Sequence, residues 1–163
     1  MAKPKTHNTK IDIDSESREQ LISLLNQQLA DTFDLYSQTK QAHWNVKGPQ
    51  FFQLHELFDQ LAAGLLPYVD DIAERATTLG GTALGTARMA TKASRLEEYP
   101  ADVFGGKDSL ETLVDRYATL AASTREAIDK SDELGDADTA DLFTGISRGL
   151  DKSLWFLEAH LQS

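Results

Sequence analysis

The sequence contains no cysteine. That excludes disulfides and thiolate metal ligands, and it fits a reducing, cytoplasmic setting. No run of eighteen apolar residues occurs, so no helix is expected to span a membrane. No apolar stretch follows the basic start of the chain, so no signal peptide is read there. Prolines are few, and Pro4, Pro49 and Pro100 stand outside every helical pattern, leaving Pro67 alone inside one. Positive charge is scarce. Sixteen Lys and Arg face 26 Asp and Glu, for a net charge of −10. A body of that sign is poorly suited to neutralising phosphates and well suited to attracting cations. What is present suits one domain: 163 residues, 40% of them hydrophobic, enough for a core.

The apolar residues recur in three- and four-residue steps, the signature of amphipathic helices. A first helix is expected from Asp14 or Ser15, both good N-caps, with Ile22, Leu25, Leu29, Phe33 and Tyr36 inward. His43 continues that stripe. A second helix is expected from Phe51 to Leu79, between Gly48-Pro49 and Gly80-Gly81. Pro67 removes a backbone donor inside it, so a bend is expected near residues 63–66. Residues 82–106 are too long for bare coil, and a short helix is expected over 86–95. A third helix is expected from Asp108, with Glu111 completing a capping box. After an acidic turn over 131–138, a fourth is expected from about Thr139 to Leu161. The fold class is therefore all-α: a four-helix bundle with a short extra helix in the long second connection.

The second helix carries the chemistry. His55 and Asp59 are four apart and share a face, as do Asp70 and Glu74. Asp59 and Asp70 are three turns apart, so both pairs lie on one stripe, but roughly 16 Å separates them along the axis. Metal ligands lie within about 2.0–2.6 Å of their ion. One straight helix cannot bring both pairs to one ion. Two antiparallel copies across a two-fold axis can, and such a contact makes two identical sites. Ala62, Ala63 and Gly64, at the midpoint, are small enough for close approach. Either pair alone reads more simply as a solvated acidic face and a core histidine, and His43 alone as a ring satisfied by a carbonyl. Two phased pairs beside His43 favour metal. His43 should then bind as neutral imidazole, its other nitrogen held by an acceptor.

The run of His43, His55, Asp59, Asp70 and Glu74, with the words TKQAHWNVKG, LHELFD, DDIAERATTLGG and LDKSLWFLEAHL, resembles the Dps family of bacterial mini-ferritins. The likeness extends from about Leu21 to Leu161. It implies a ferritin-like four-helix subunit, a hollow homododecamer, and ferroxidase sites at two-fold interfaces, with those five residues as catalytic metal ligands. The implied activity is oxidation of Fe(II), preferably by hydrogen peroxide, with ferric oxide stored inside and DNA thereby protected. The donor set, imidazole and carboxylate without sulfur, suits iron and would also take zinc or manganese. One or two irons per site are equally compatible with it. The resemblance also suggests that Trp44 lies near the site and quenches radicals, although packing at the dimer contact explains it equally well. It suggests acids lining iron-entry pores, for which Asp136, Asp138 and Asp141 are the candidates, a solvated loop being the simpler reading.

Residues 1–13 are expected to form a flexible basic tail ahead of a bundle domain over 14–163. Lys3, Lys5 and Lys10 there are candidate DNA contacts, strengthened by multiplicity in an oligomer. His160 is read as a helix-end cation, and His7 alone as no metal site. Two alternatives to the ferroxidase remain: a nucleoid-coating DNA-binding protein, and a plain helical bundle that binds a partner without metal.

Overall fold

The computed structural model describes residues 5–162. Among them are five helices and no strand: α1 (Ser15–Asn45), α2 (Phe51–Thr78), α3 (Ala87–Ala93), α4 (Gly106–Glu133) and α5 (Ala137–Ala159). Five-residue and three-residue connections join α1 to α2 and α4 to α5, so each pair lies antiparallel and packs along its length. The long stretch between α2 and α4 crosses the bundle and carries α3, as the spacing predicts. Its backbone does not hang free. Arg95 donates from its main chain and its guanidinium to Asp31 of α1, and Arg116 of α4 donates to the Glu97 and Glu98 carbonyls. Gln38 donates to the Glu97 carbonyl from the α1 side. Asn26 binds the Thr82 carbonyl and accepts from the Leu84 amide.

Helix ends follow local chemistry. The Asp14 carboxylate caps α1, accepting from the Glu16 and Ser17 amides at 3.0 Å each. α2 ends at Gly80, whose φ of +88° lies in the left-handed region that favours glycine. α4 departs from expectation. It starts at Gly106, with Gly105 as N-cap, and no side chain caps it. Glu111 pairs with Lys107 at 3.5 Å instead of closing a box with Asp108. α5 starts at Ala137, not Thr139, because Asp136 caps it. Pro67 is exposed, and α2 runs unbroken through it.

The core unites Leu25 and Leu29 of α1, Leu54, Phe58 and Leu65 of α2, Leu113 and Tyr117 of α4, and Phe143 and Leu150 of α5. The α1 stripe is rotated from the expected one. Leu21, Gln28, Thr32, Leu35 and Thr39 are buried, whereas Ile22, Phe33 and Tyr36 are partly exposed. Buried polar groups make this workable: Thr39 returns its hydroxyl to the Leu35 carbonyl and meets the Tyr117 hydroxyl at 3.2 Å.

The N-terminal segment also differs from a flexible tail. The His7 amide donates to the Gly80 carbonyl at 2.7 Å, and the Thr82 hydroxyl donates to the Lys5 carbonyl at 2.7 Å. Ile11 and Ile13 pack against the core. Residues 5–13 are therefore laid along the bundle. Lys3 lies outside the described residues.

Candidate metal centre

The turn between α1 and α2 brings two histidines face to face. Gly48, with φ of +110°, and the hydrogen bond from Phe51 to the Gly48 carbonyl reverse the chain. The His43 and His55 rings stack with centroids 3.8 Å apart and planes 20° apart. Their hydrogen bonds are reciprocal. His43 Nδ1 lies 2.7 Å from the His55 carbonyl oxygen, and His55 Nδ1 lies 2.9 Å from the His43 carbonyl oxygen. A carbonyl only accepts, so each Nδ1 must carry the proton. In the neutral ring, each Nε2 then keeps a bare lone pair. Two imidazoles are thus locked in the tautomer that ligates metal.

Asp59 stands beside them. Its Oδ1 lies 3.9 Å from His43 Nε2 and accepts from Lys40 Nζ at 2.6 Å. The Lys40 hydrogen bond holds the Asp59 carboxyl below its ordinary value. Asp70 and Glu74 are exposed on the same helix, three turns on. Among the described residues, no three His, Asp or Glu side chains of a single chain converge to hold a metal ion. The structure stacks His43 on His55 with Asp59 3.9 Å from His43 Nε2, and Asp70 and Glu74 lie farther along α2. That division is the one the helix arithmetic requires.

A family model for the ferritin-like domain matches residues 22–163. The DNA protection during starvation protein of Agrobacterium fabrum is 51% identical over 158 residues, covering 97% of this chain and 98% of that protein. The chain belongs to the Dps family of ferritin-like proteins. Among solved structures, the Dps of Mycobacterium smegmatis superposes with a TM-score of 0.92 at 31% identity, covering 98% of this chain and 96% of that one. The Dps of Vibrio cholerae, described as a member of a broad superfamily of ferritin-like diiron-carboxylate proteins, gives 0.88 at 29% identity, covering 99% of this chain and 100% of that one.

The remaining candidates sit elsewhere on the Dps subunit. Trp44 is 64% exposed, one residue beyond His43, with Lys40 Nζ 5.6 Å from its ring centroid. The three pore candidates separate sharply. Asp136 is corrected: its side chain is 2% exposed and takes two hydrogen bonds from Arg75, at 2.7 and 2.8 Å, besides those from the Thr139 amide and hydroxyl. It is a buried cap and cannot line a pore. Burial pushes its carboxyl up, but the Arg75 and Thr139 hydrogen bonds outweigh burial and hold it below its ordinary value of 3.8. Asp138 is 86% exposed, and Asp141 is exposed. His160 sits at the end of α5, its Nδ1 2.7 Å from the Phe156 carbonyl. Lys5, His7 and Lys10 are exposed.

Sequence reasoning missed two residues of this Dps chain. Lys40 precedes His43 by three, on the same face of α1, and that spacing could have flagged it. Arg75 follows Glu74 directly, but its partner Asp136 is 61 positions away, which no local pattern reveals.

Proposed function

We propose that this Dps chain oxidises Fe(II) at centres shared by two subunits and stores the ferric product inside a hollow homododecamer. His43, His55 and Asp59 of one subunit would face Asp70 and Glu74 of its neighbour. The observation that carries the reading is the reciprocal pair of Nδ1–carbonyl hydrogen bonds. A histidine satisfied merely as a core residue has no need of a stacked partner locked in the same tautomer. The donor set is nitrogen and oxygen only, which suits Fe(II) as substrate.

Hydrogen peroxide is the proposed oxidant. Each of two Fe(II) ions gives one electron to a peroxide, the O–O bond breaks, and two hydroxides and two Fe(III) result. Carboxylates favour the ferric state. Loss of Fe(II) and peroxide together removes both ingredients of hydroxyl radical, which is how such a protein would protect DNA. Asp138 and Asp141, exposed at the start of α5, are the proposed lining of an iron-entry pore. No described helix is long and apolar enough to cross a membrane. A cytoplasmic location, beside the DNA it would protect, is part of the proposal.

The test is ferric absorbance after anaerobic Fe(II) loading and peroxide addition. Removing even an outer partner of a metal ligand costs about 10–100-fold, so His55→Ala and Asp70→Ala should each slow oxidation by at least that much. Unchanged rates in both, with assembly intact, would overturn the site.

A further inference from the structure

Lys40 holds the oxygen that the proposed centre would need. Its ammonium donates at 2.6 Å to Oδ1 of Asp59, and it is this oxygen that lies 3.9 Å from His43 Nε2. Two metal bonds of about 2.0–2.2 Å each can span that gap. An ammonium retained on the same oxygen would then lie within about 5 Å of a divalent ion, at like charge and in a partly desolvated place. The two cations compete for one atom.

The lysine is poorly explained as a structural brace. In the single subunit Asp59 is 55% exposed, and an ion pair with so open a partner adds little to the stability of the subunit itself. The Lys40 side chain itself is only 18% exposed, so it is held in position. It also has somewhere to go. Lys40, His43 and Trp44 occupy one face of α1, and the ammonium already lies 5.6 Å from the Trp44 ring centroid. Displaced from Asp59, it can remain over the indole.

We propose that Lys40 is a built-in competitor at the centre: iron enters only by displacing its ammonium from Asp59, and the ammonium's return helps expel the product. The site would thereby treat iron as a passing substrate and would not trap it as a resident ion. This rests on the iron reading above and adds to it a residue that sets how long the metal stays.

The test uses the assembled protein and Co(II), which takes the same ligands without turning over, titrated anaerobically and followed by calorimetry and visible absorption. Lys40→Met should bind Co(II) about tenfold more tightly than the wild type, equivalent to about 1.4 kcal/mol, and release it more slowly to a chelator. Lys40→Arg, which keeps the cation, should stay near the wild type. In an Asp59→Asn background the Lys40→Met gain should vanish, because the contested oxygen has lost its charge. If the wild type binds Co(II), His55→Ala abolishes binding, and Lys40→Met is no tighter, the competitor is refuted and the metal centre stands. A gain of equal size in the Asp59→Asn background would show only a general effect of charge and would also refute it. If neither the wild type nor Lys40→Met binds Co(II), the metal centre falls, and the competitor with it.

Discussion

At His43 and His55, one backbone carbonyl apiece decides which ring nitrogen faces outward. Sequence spacing could put these residues in phase but could not supply the carbonyls, because those depend on the turn that folds α2 back onto α1. Asp136 shows the same limit from the other side. Its place in an acid-rich stretch suggests solvent, yet Arg75 draws it inside. Because its folded carboxyl titrates below 3.8, the stability it supplies is complete above that value and drains away as pH falls through the lower folded value. Asp136→Asn leaves a mostly buried Arg75 with only the exposed Asp138, 3.9 Å away, as counter-charge, and should lose about 2–4 kcal/mol at pH 7. Urea denaturation from pH 7 down to 3 checks this. The gap between the wild type and the variant should be constant near neutrality and shrink below about pH 4. A gap that stays constant throughout would mean that the carboxylate's charge contributes nothing.

Among the elements, those bounded by strong local signals were the legible ones. Gly48-Pro49 and Gly80-Gly81 delimit α2, and of the stripe that the periodicity predicts from Phe51 to Leu79, Leu54, Phe58, Leu61, Leu65, Ile72, Ala76 and Leu79 are buried, whereas Val69 is partly buried and Phe51 is exposed. α1 was read less well because its core face includes Gln28, Thr32 and Thr39, whose polar atoms return to backbone carbonyls and so pack without looking apolar. The N-terminal segment lies closer to the bundle than its composition suggests: its anchors are the backbone hydrogen bond from His7 to Gly80, the Thr82 hydroxyl on the Lys5 carbonyl, and the packing of Ile11 and Ile13. Gly80 is the keystone of that anchorage. A Cβ there would lie 2.4 Å from the His7 carbonyl oxygen, at a φ that costs an alanine about 1–2 kcal/mol. Gly80→Ala should therefore release residues 5–13. Trypsin should cut after Lys10 at least several-fold faster in the variant, since cleavage follows local opening. A DNA shift assay at physiological salt should be weak for the wild type, whose Lys5 is tied by its carbonyl to Thr82, and stronger once the lysines are freed. Strong shifting by the wild type, lost in a Lys5→Ala, Lys10→Ala variant, would favour the nucleoid-coating alternative.

For the whole molecule the question is whether one centre draws on two chains. The proposal rests on spacing: helical phase unites His55, Asp59, Asp70 and Glu74 on one stripe, while helical rise keeps the pairs roughly 16 Å apart. The second copy proposed above would satisfy both, and Asp70 and Glu74 are exposed on the single subunit. Complementation can decide the matter. His55→Ala and Asp70→Ala subunits, each assembled alone, lack a ligand in every centre. Co-expressed at equal levels, half of their two-fold pairs are mixed. In a mixed pair one centre carries both lesions and the other carries neither, because a two-fold contact makes each chain supply its histidines to one centre and its acids to the other. About a quarter of all centres should then be intact, and peroxide-driven ferric absorbance should recover to about a quarter of the wild-type rate. Centres contained within single chains would give no recovery at any mixing ratio. If the acids instead came from a neighbour related by a three-fold axis, recovery would persist but two-fold dimers, isolated by mild dissociation, would not bind metal.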